Sequence, residues 1–213
     1  MKKTMVISLG GSLIVPEKDN SNFLDRFKHI LSKHYKTHKF VIVCGGGTIA
    51  RKYITALKKE HQSKKQLSVA GILATRTNAQ FMMQFFGKEA NENLPKNMKD
   101  IKSDLAKNKA VICGALRYSK NSTSDSTAAS VAQYLKTEFI NITNVDGYYT
   151  ENPFTNKNAK FIPFVSWKDF EKAALKIKHK PGQHFVLDQK ASTIIRKHKI
   201  PTYIIGPNLK SLS

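Results

Sequence analysis

Cysteine, tryptophan and acidic side chains are scarce in this chain. Its 213 residues include two cysteines and one tryptophan, and 15 Asp and Glu stand against 36 Lys and Arg. Cys44 and Cys113 each close an apolar, strand-like run just before a glycine, so both read as buried free thiols rather than disulfide partners. No apolar stretch reaches the roughly 18 residues that a membrane span requires. The N-terminal MKKTMVISLGGSL places lysines before an apolar run, as a signal peptide does. Glycines break that run and no small-residue cleavage site follows, so it reads as a first strand. No membrane association is expected, and the expected location is cytoplasmic.

The shortage of acid leaves a net charge of +21. Such a charge fits either a nucleic-acid binder or a lysine-rich surface around a site for anionic ligands. The lysines are spread over the whole chain, among them Lys58, Lys59, Lys107 and Lys180, with no arginine-rich block, aromatic interleaving, zinc-finger spacing or RNA-recognition motif. Specific nucleic-acid binding is therefore not expected. The GxGxxG and GxxxxGK[ST] patterns are missing too, which argues against a Rossmann dinucleotide site and a P-loop.

What is present is an alternation. Strand signals fall at Met5–Leu9, Phe40–Cys44, Ala110–Cys113, Phe139–Thr143 and Thr202–Ile205, and helical patterns at roughly 22–36, 48–60, 68–87, 124–136, 166–177 and 188–198. Alternating strands and helices predict a mainly parallel open sheet covered on both faces, a three-layer αβα sandwich. Segment 87–104 is polar and poorly periodic and reads as a flexible crossover or lid; 144–165 reads as a loop or hairpin excursion. With 40% hydrophobic residues and no evident linker, 1–213 reads as a single globular domain.

Two strands end in glycines: VISLGGSLIVP at 6–16 and FVIVCGGGTIARKYI at 40–54. Glycine turns tightly and lets a phosphate approach main-chain N–H groups, and a following helix adds free donors and its positive end. Two such turns on neighbouring strands predict a site holding two phosphorylated groups face to face. Gly10-Gly11-Ser12 offers backbone donors and a hydroxyl; Gly45-Gly46-Gly47-Thr48 precedes a helix with Arg51 about one turn in, placed to fork onto a phosphate. In NSTSDSTAASVAQYL (121–135), Asp125 or Ser124 reads as a helix N-cap or, beside phosphate turns, as a substrate-orienting group. In INITNVDGYYTENPF (140–154), Asp146-Gly147 is a turn pair, and Tyr148 or Tyr149 is placed to flank a base. Asp188 looks like a helix start.

In this order and spacing, VISLGGSLIVP, VCGGGTIARKYI, ATRTNAQ (74–80), STSDSTAA, ITNVDGYYTENP and VLDQKASTIIRKHKIP (186–201) resemble the amino acid kinase family, most closely its archaeal-type uridylate kinases. The resemblance covers residues 5 to about 206. It implies transfer of the γ-phosphoryl of ATP to UMP with Mg²⁺, no metal-ligating cluster of the protein's own, and a homo-oligomer, dimer or hexamer, with the helix at 48–60 or 68–87 as a dimer face. It implies an acceptor-side half at about 1–115 and an ATP-side half at about 116–213. By the same resemblance Ser8, Leu9, Gly10, Gly11, Ser12, Gly47, Arg51, Thr143, Asp146, Tyr149, Asn152 and Asp188 would bind ATP. Gly45, Gly46, Thr123 and Ser124 would bind UMP, and Asp125, Arg51 and Gly10 would serve the reaction centre.

The chain departs from the family pattern in places. Ser8 stands where many members carry a lysine, ALRYSKNS (115–122) replaces a glycine- and histidine-containing loop, Ser68 replaces an aspartate that recognises UMP, and Asn152 replaces an aspartate. Neither Lys120 nor Lys190 aligns with a family lysine, and the family's final strand has no counterpart after Ile205. Two alternatives stay open: a relative acting on another small phosphate or carboxylate acceptor, and a non-catalytic nucleotide-binding relative.

Overall fold

A computed structural model describes residues 2–17, 22–118, 122–176, 186–209 and 212. Strand β1 (Lys3–Leu9) leads through a short α1 (Gly11–Ile14) and α2 (Asn22–Lys33) to β2 (His38–Cys44). Helices α3 (Gly47–Lys59), α4 (Lys64–Phe86) and α5 (Met98–Lys107) follow before β3 (Ala110–Cys113). After α6 (Ser124–Leu135) and β4 (Phe139–Ile142), a hairpin of β5 (Tyr148–Tyr149) and β6 (Phe161–Ile162) precedes α7 (Trp167–Leu175), α8 (Gln189–His198) and β7 (Thr202–Ile205).

The five long strands form one parallel sheet in the order β3-β2-β1-β4-β7. The chain steps outward from β1 to β2 and β3, then returns to lay β4 on the other side of β1. That reversal opens a crevice beyond the carboxyl ends of β1 and β4, where open α/β sheets bind ligands. Side-chain parity sorts the core. Ile7, Leu9, Phe40, Ile42, Cys44, Ile112 and Ile142 face α2 and the C-terminal part of α4, and Val6, Val41, Val43, Val111, Cys113 and Phe139 face α5, α6 and α8. Both cysteines are free and buried, in the two separate cores. Among the described residues no helix is long and apolar enough to cross a membrane.

The αβα sandwich holds as expected, and the excursion at 144–165 contains the β5–β6 hairpin. Segment 87–104 differs from expectation. It contains a 3₁₀ turn at Gly87–Glu89 and the start of α5, which Asn97 caps by accepting from the N–H groups of Lys99 (2.8 Å) and Asp100 (3.1 Å). Met98, Ile101 and Leu105 at i, i+3 and i+7 form a narrow apolar stripe on α5, and the other positions of this ten-residue helix are polar or alanine, so its period is short. Before it, Asn91 Oδ1 accepts the Ile112 N–H at 2.6 Å and its Nδ2 donates to the Ile112 carbonyl at 3.0 Å. One side-chain amide thus completes the edge of β3 as a further strand would. Helix α4 also begins earlier than its apolar pattern, because Ser63 and Gln66 form a capping box.

The glycine turns after β1 and β2 pack backbone against backbone. A Cβ on Gly11 would lie 2.3 Å from the Gly47 nitrogen, and one on Gly47, at φ +55°, would lie 2.2 Å from the Gly11 carbonyl carbon. Gly87 has a similar φ of +59° but open space around it. Gly47→Ala should therefore lower unfolding free energy by roughly 2–5 kcal/mol, strain plus overpacking, whereas Gly87→Ala, at φ +59° and ψ −132°, should cost about 1–3 kcal/mol from strain alone. Denaturant unfolding of both variants isolates the cost of the contact between turns, and equal losses would show that it carries none.

Candidate active site

A cavity of about 220 Å³ occupies the crevice at the sheet's carboxyl edge. It is lined by both glycine turns, by the start of α3, by one face of α4, by the loop after β3 and by the starts of α6 and α8. Main-chain bonds tie the turns to the sheet: the Gly10 N–H donates to the Ile142 carbonyl (2.9 Å) and the Gly45 N–H to the Leu9 carbonyl (2.8 Å). Buried Asn78 of α4 donates to the Gly45 carbonyl at 2.7 Å and fixes the second turn from behind. Arg51 lies one turn into α3, where its Nη2 donates to Thr48 Oγ1 at 2.8 Å. Its nearest carboxylate is Glu17, 3.9 Å away with a side chain 71% exposed, a pairing too weak to hold the guanidinium from an anion.

The starts of α6 and α8 meet at Asp188. Its Oδ1 accepts the Ala191 N–H (2.7 Å), and its Oδ2 accepts the N–H groups of Thr123 (3.1 Å) and Ser126 (3.2 Å) and the Thr123 hydroxyl. Asp188 is thus a buried clamp across two helix N-termini, and the helix start expected there is present. The cap of α6 is Thr123, not Asp125 or Ser124. That frees Asp125, in the second position of the helix, to turn toward the sheet, where Ser8 Oγ donates to its Oδ1 at 2.8 Å. Burial, and then the Asp188 carboxylate, push the Asp125 carboxyl up to about 7, against the opposing pull of the Ser8 hydroxyl.

Gly10, Gly11, Ser12, Gly45, Gly46, Gly47, Arg51, Thr123, Ser124, Asp125, Thr143 and Asp188 all line the cavity. Ser8 reaches it through Asp125, and the Leu9 side chain is buried in the core. Asp146, Tyr149 and Asn152 lie outside the lining. Asp146 packs on Gly206, Tyr149 stacks edge-to-face on Phe161 at 5.5 Å, and Asn152 accepts the Phe154 N–H at 3.0 Å. Lys120 lies outside the described residues, and Lys190 is not in the lining.

Sequence reasoning missed Asn141 and Arg117. Asn141 is a buried polar residue at an inward position of β4 and donates to the Val186 carbonyl; a polar side chain at a core-facing register was the available signal. Arg117 sits in an irregular loop with no periodicity to mark it.

Fold and site together define an open α/β domain whose crevice joins two glycine turns. A family model of the amino acid kinase family matches residues 3–206. The chain belongs to that family. It is 32% identical over 203 residues to the uridylate kinases of Thermococcus kodakarensis and Pyrococcus abyssi, covering 95% of this chain and 89% of each relative. The crystal structure of uridylate kinase from Archaeoglobus fulgidus superposes with a TM-score of 0.82 at 29% identity, covering 100% of this chain and 95% of the other. Aspartate kinase from Synechocystis shares the fold, with a TM-score of 0.68 at 15% identity over 96% of this chain and 38% of its own.

The raised Asp125 value carries a sign. The fold prefers the neutral acid, so this group's contribution to stability is complete below the unfolded value of 3.8 and is lost as pH rises to about 7. Asp125→Asn removes that loss. The variant should melt about 2–6 °C above the parent at pH 8, with the gain shrinking as pH falls toward 4. Thermal melts across this range check it, and a pH-independent difference would mark Asp125 as an ordinary ionised carboxylate.

Proposed function

We propose that this chain transfers the γ-phosphoryl of ATP to UMP, giving ADP and UDP, as a cytoplasmic step in pyrimidine nucleotide synthesis. One observation carries the reading: a single cavity joins both glycine turns, Arg51 and the starts of α3 and α6, in a chain whose relatives over 95% of its length are uridylate kinases. On this reading the turn at 10–12, with Ser8, Gly47 and Arg51, holds the donor phosphates, and Thr143 and Asp188 complete the ATP side within the cavity, while Asp146, Tyr149 and Asn152, which lie outside its lining, are not assigned to it. Gly45, Gly46, Thr123 and Ser124 hold UMP. Residues from about 1–115 then serve chiefly the acceptor and those from about 116–213 chiefly ATP.

The chemistry asks for positioning and charge neutralisation rather than a covalent enzyme intermediate. Charge on the transferring phosphoryl meets the backbone N–H groups of the two turns, the positive ends of α3 and α6, and the Arg51 fork. Among the described residues no cluster of three or more His, Cys, Asp or Glu could hold a metal ion. Mg²⁺ would arrive with the triphosphate and neutralise charge on its oxygens. Asp125 is the carboxylate available to it, because Asp188 is occupied by the helix N–H groups.

The expected oligomer has a candidate face on α4. Val69, Leu73 and Phe81 are exposed there, and the exposed positions from Gln66 to Gln84 carry no charge. With a net charge of +21, two copies repel each other over most of their surface, so this uncharged stripe is the favoured place for a second copy. Leu73→Lys combined with Phe81→Lys should shift the protein toward monomer in sedimentation velocity, and an unchanged oligomer would exclude this face.

The function is tested by ADP release from Mg·ATP with UMP, CMP, dUMP or isopentenyl phosphate as acceptor. Turnover should favour UMP, and Arg51→Ala should slow it about 10²–10³-fold while the protein stays folded. Preference for isopentenyl phosphate would sink the uridylate reading, and nucleotide binding without turnover would mark a non-catalytic relative.

A further inference from the structure

Four described residues of the cavity lining carry formal charge: Arg51, Arg117, Asp125 and Asp188. Asp125 and Asp188 belong to the starts of α6 and α8, and Arg51 to α3 beside the second glycine turn. Arg117 stands apart, on the loop after the edge strand β3, and takes no ion-pair partner among the described residues.

That loop is a built feature. The Arg76 Nε donates to the Ala115 carbonyl at 3.1 Å, and its Nη2 donates to the Leu116 carbonyl at 2.8 Å. The Ala115 N–H donates to Thr75 Oγ1 at 2.9 Å. Gly114 lies so close to α4 that a Cβ on it would stand 2.7 Å from the Thr75 carbonyl carbon. The chain is therefore fixed up to the residue before Arg117. The facing wall of α4 presents Ser68, Ile72 and Thr75, at i, i+4 and i+7, so this end of the cavity is a neutral wall with one cation.

Position decides what that cation meets. Strand β3 lies one strand beyond β2, whose glycine turn holds the phosphate junction, and neighbouring strands are about 4.8 Å apart. A nucleotide whose phosphate sits at Gly45–Gly47 and which extends toward β3 brings its base, not its phosphate, to Arg117. Arginine carries five N–H donors and no acceptor. Uracil offers a carbonyl oxygen where cytosine carries an amino group, so a donor-only side chain favours the first and leaves the second facing another donor. We infer that Arg117 recognises the acceptor base by donating to the carbonyl oxygen at C4 of the ring, where cytosine carries its amino group, and thereby selects uracil over cytosine. Arg76 acts through it, as a positioning residue. The inference rests on the proposed uridylate kinase reading.

The test compares kcat/KM for UMP and for CMP at saturating ATP. The parent enzyme should prefer UMP by roughly 100-fold, the scale of one well-made polar discrimination. Arg117→Gln, whose amide offers both a donor and an acceptor, should cut that ratio about tenfold or more while the KM for ATP moves less than about twofold. Arg117→Lys should restore part of the ratio. Arg76→Ala should lower it in the same direction, through KM for the acceptor rather than kcat, and Arg76→Lys should recover part. A ratio that Arg117→Gln leaves intact overturns the inference alone, as does an equal loss toward both acceptors. A parent that does not distinguish UMP from CMP also overturns it, and one that uses neither overturns the functional reading as well.

Discussion

The two glycine turns touch without side chains between them, and the site is arranged around that contact. Leu9 and Cys44 end neighbouring strands in register, so whatever follows them must share one narrow space. The chain fills it with main chain alone: Gly11 against Gly45 and Gly47, at separations no Cβ survives. Steric exclusion therefore demands these glycines before any ligand does. The contact sends α1 and α3 away from one point and leaves their first N–H groups beside each other. A phosphate bound at either turn is then within reach of the field of the other, the condition for passing a charged group between two ligands.

Parity in the sheet decides which helix reaches this point. Alternation along β1 and β4 puts Ser8 and Asn141 on the face covered by α6 and α8, and both lie near the carboxyl ends of their strands. The strand residues of that face are apolar near the strand starts, Val6 and Phe139, and polar at Ser8 and Asn141. Alanines at 128, 129 and 132 let α6 lie close to the sheet, which brings its N-terminus down onto Ser8. Asp188 is kept in this polar corner by backbone donors from two helices. Asp125, with one hydroxyl donor, bears the cost of the shared negative charge as a raised proton affinity.

Strand positions, layer architecture and both glycine turns were legible in the sequence because they rest on short-range signals, β-branched runs ending in glycine, whereas the spatial order of the strands was not read from it. The crossover at 87–104 was not, because α5 buries two side chains and takes its start from Asn97 rather than from periodicity. Asp125 was visible as a residue at a helix start but not as a Ser8 partner, since that bond spans 117 positions. Which residue caps α6 depends on Asp188, brought from 65 residues away. Asp146, Tyr149 and Asn152 were singled out from a motif whose first residues, Thr143 and Asn144, reach the cavity, while the part from Asp146 onward pairs with itself and with Phe161 outside the lining. Arg117 had no local signal at all; its place follows from Arg76 and Thr75 gripping the loop from another element.

Charge neutralisation in this cavity falls to arginine and to the main chain. Ser8, just before the first turn, supplies a hydroxyl rather than a cation, and that hydroxyl is spent on Asp125. No lysine is found among the described lining residues, although lysine covers the surface. A lysine is a mobile point charge, whereas an arginine fork delivers directed donors from a fixed plane. Arg51 and Arg117 line the same cavity from different elements, α3 and the Arg76-braced loop. The surface lysines then have a different task. A net charge of +21 attracts anionic substrates from a distance within the Debye length, while selection among them is left to the few groups inside.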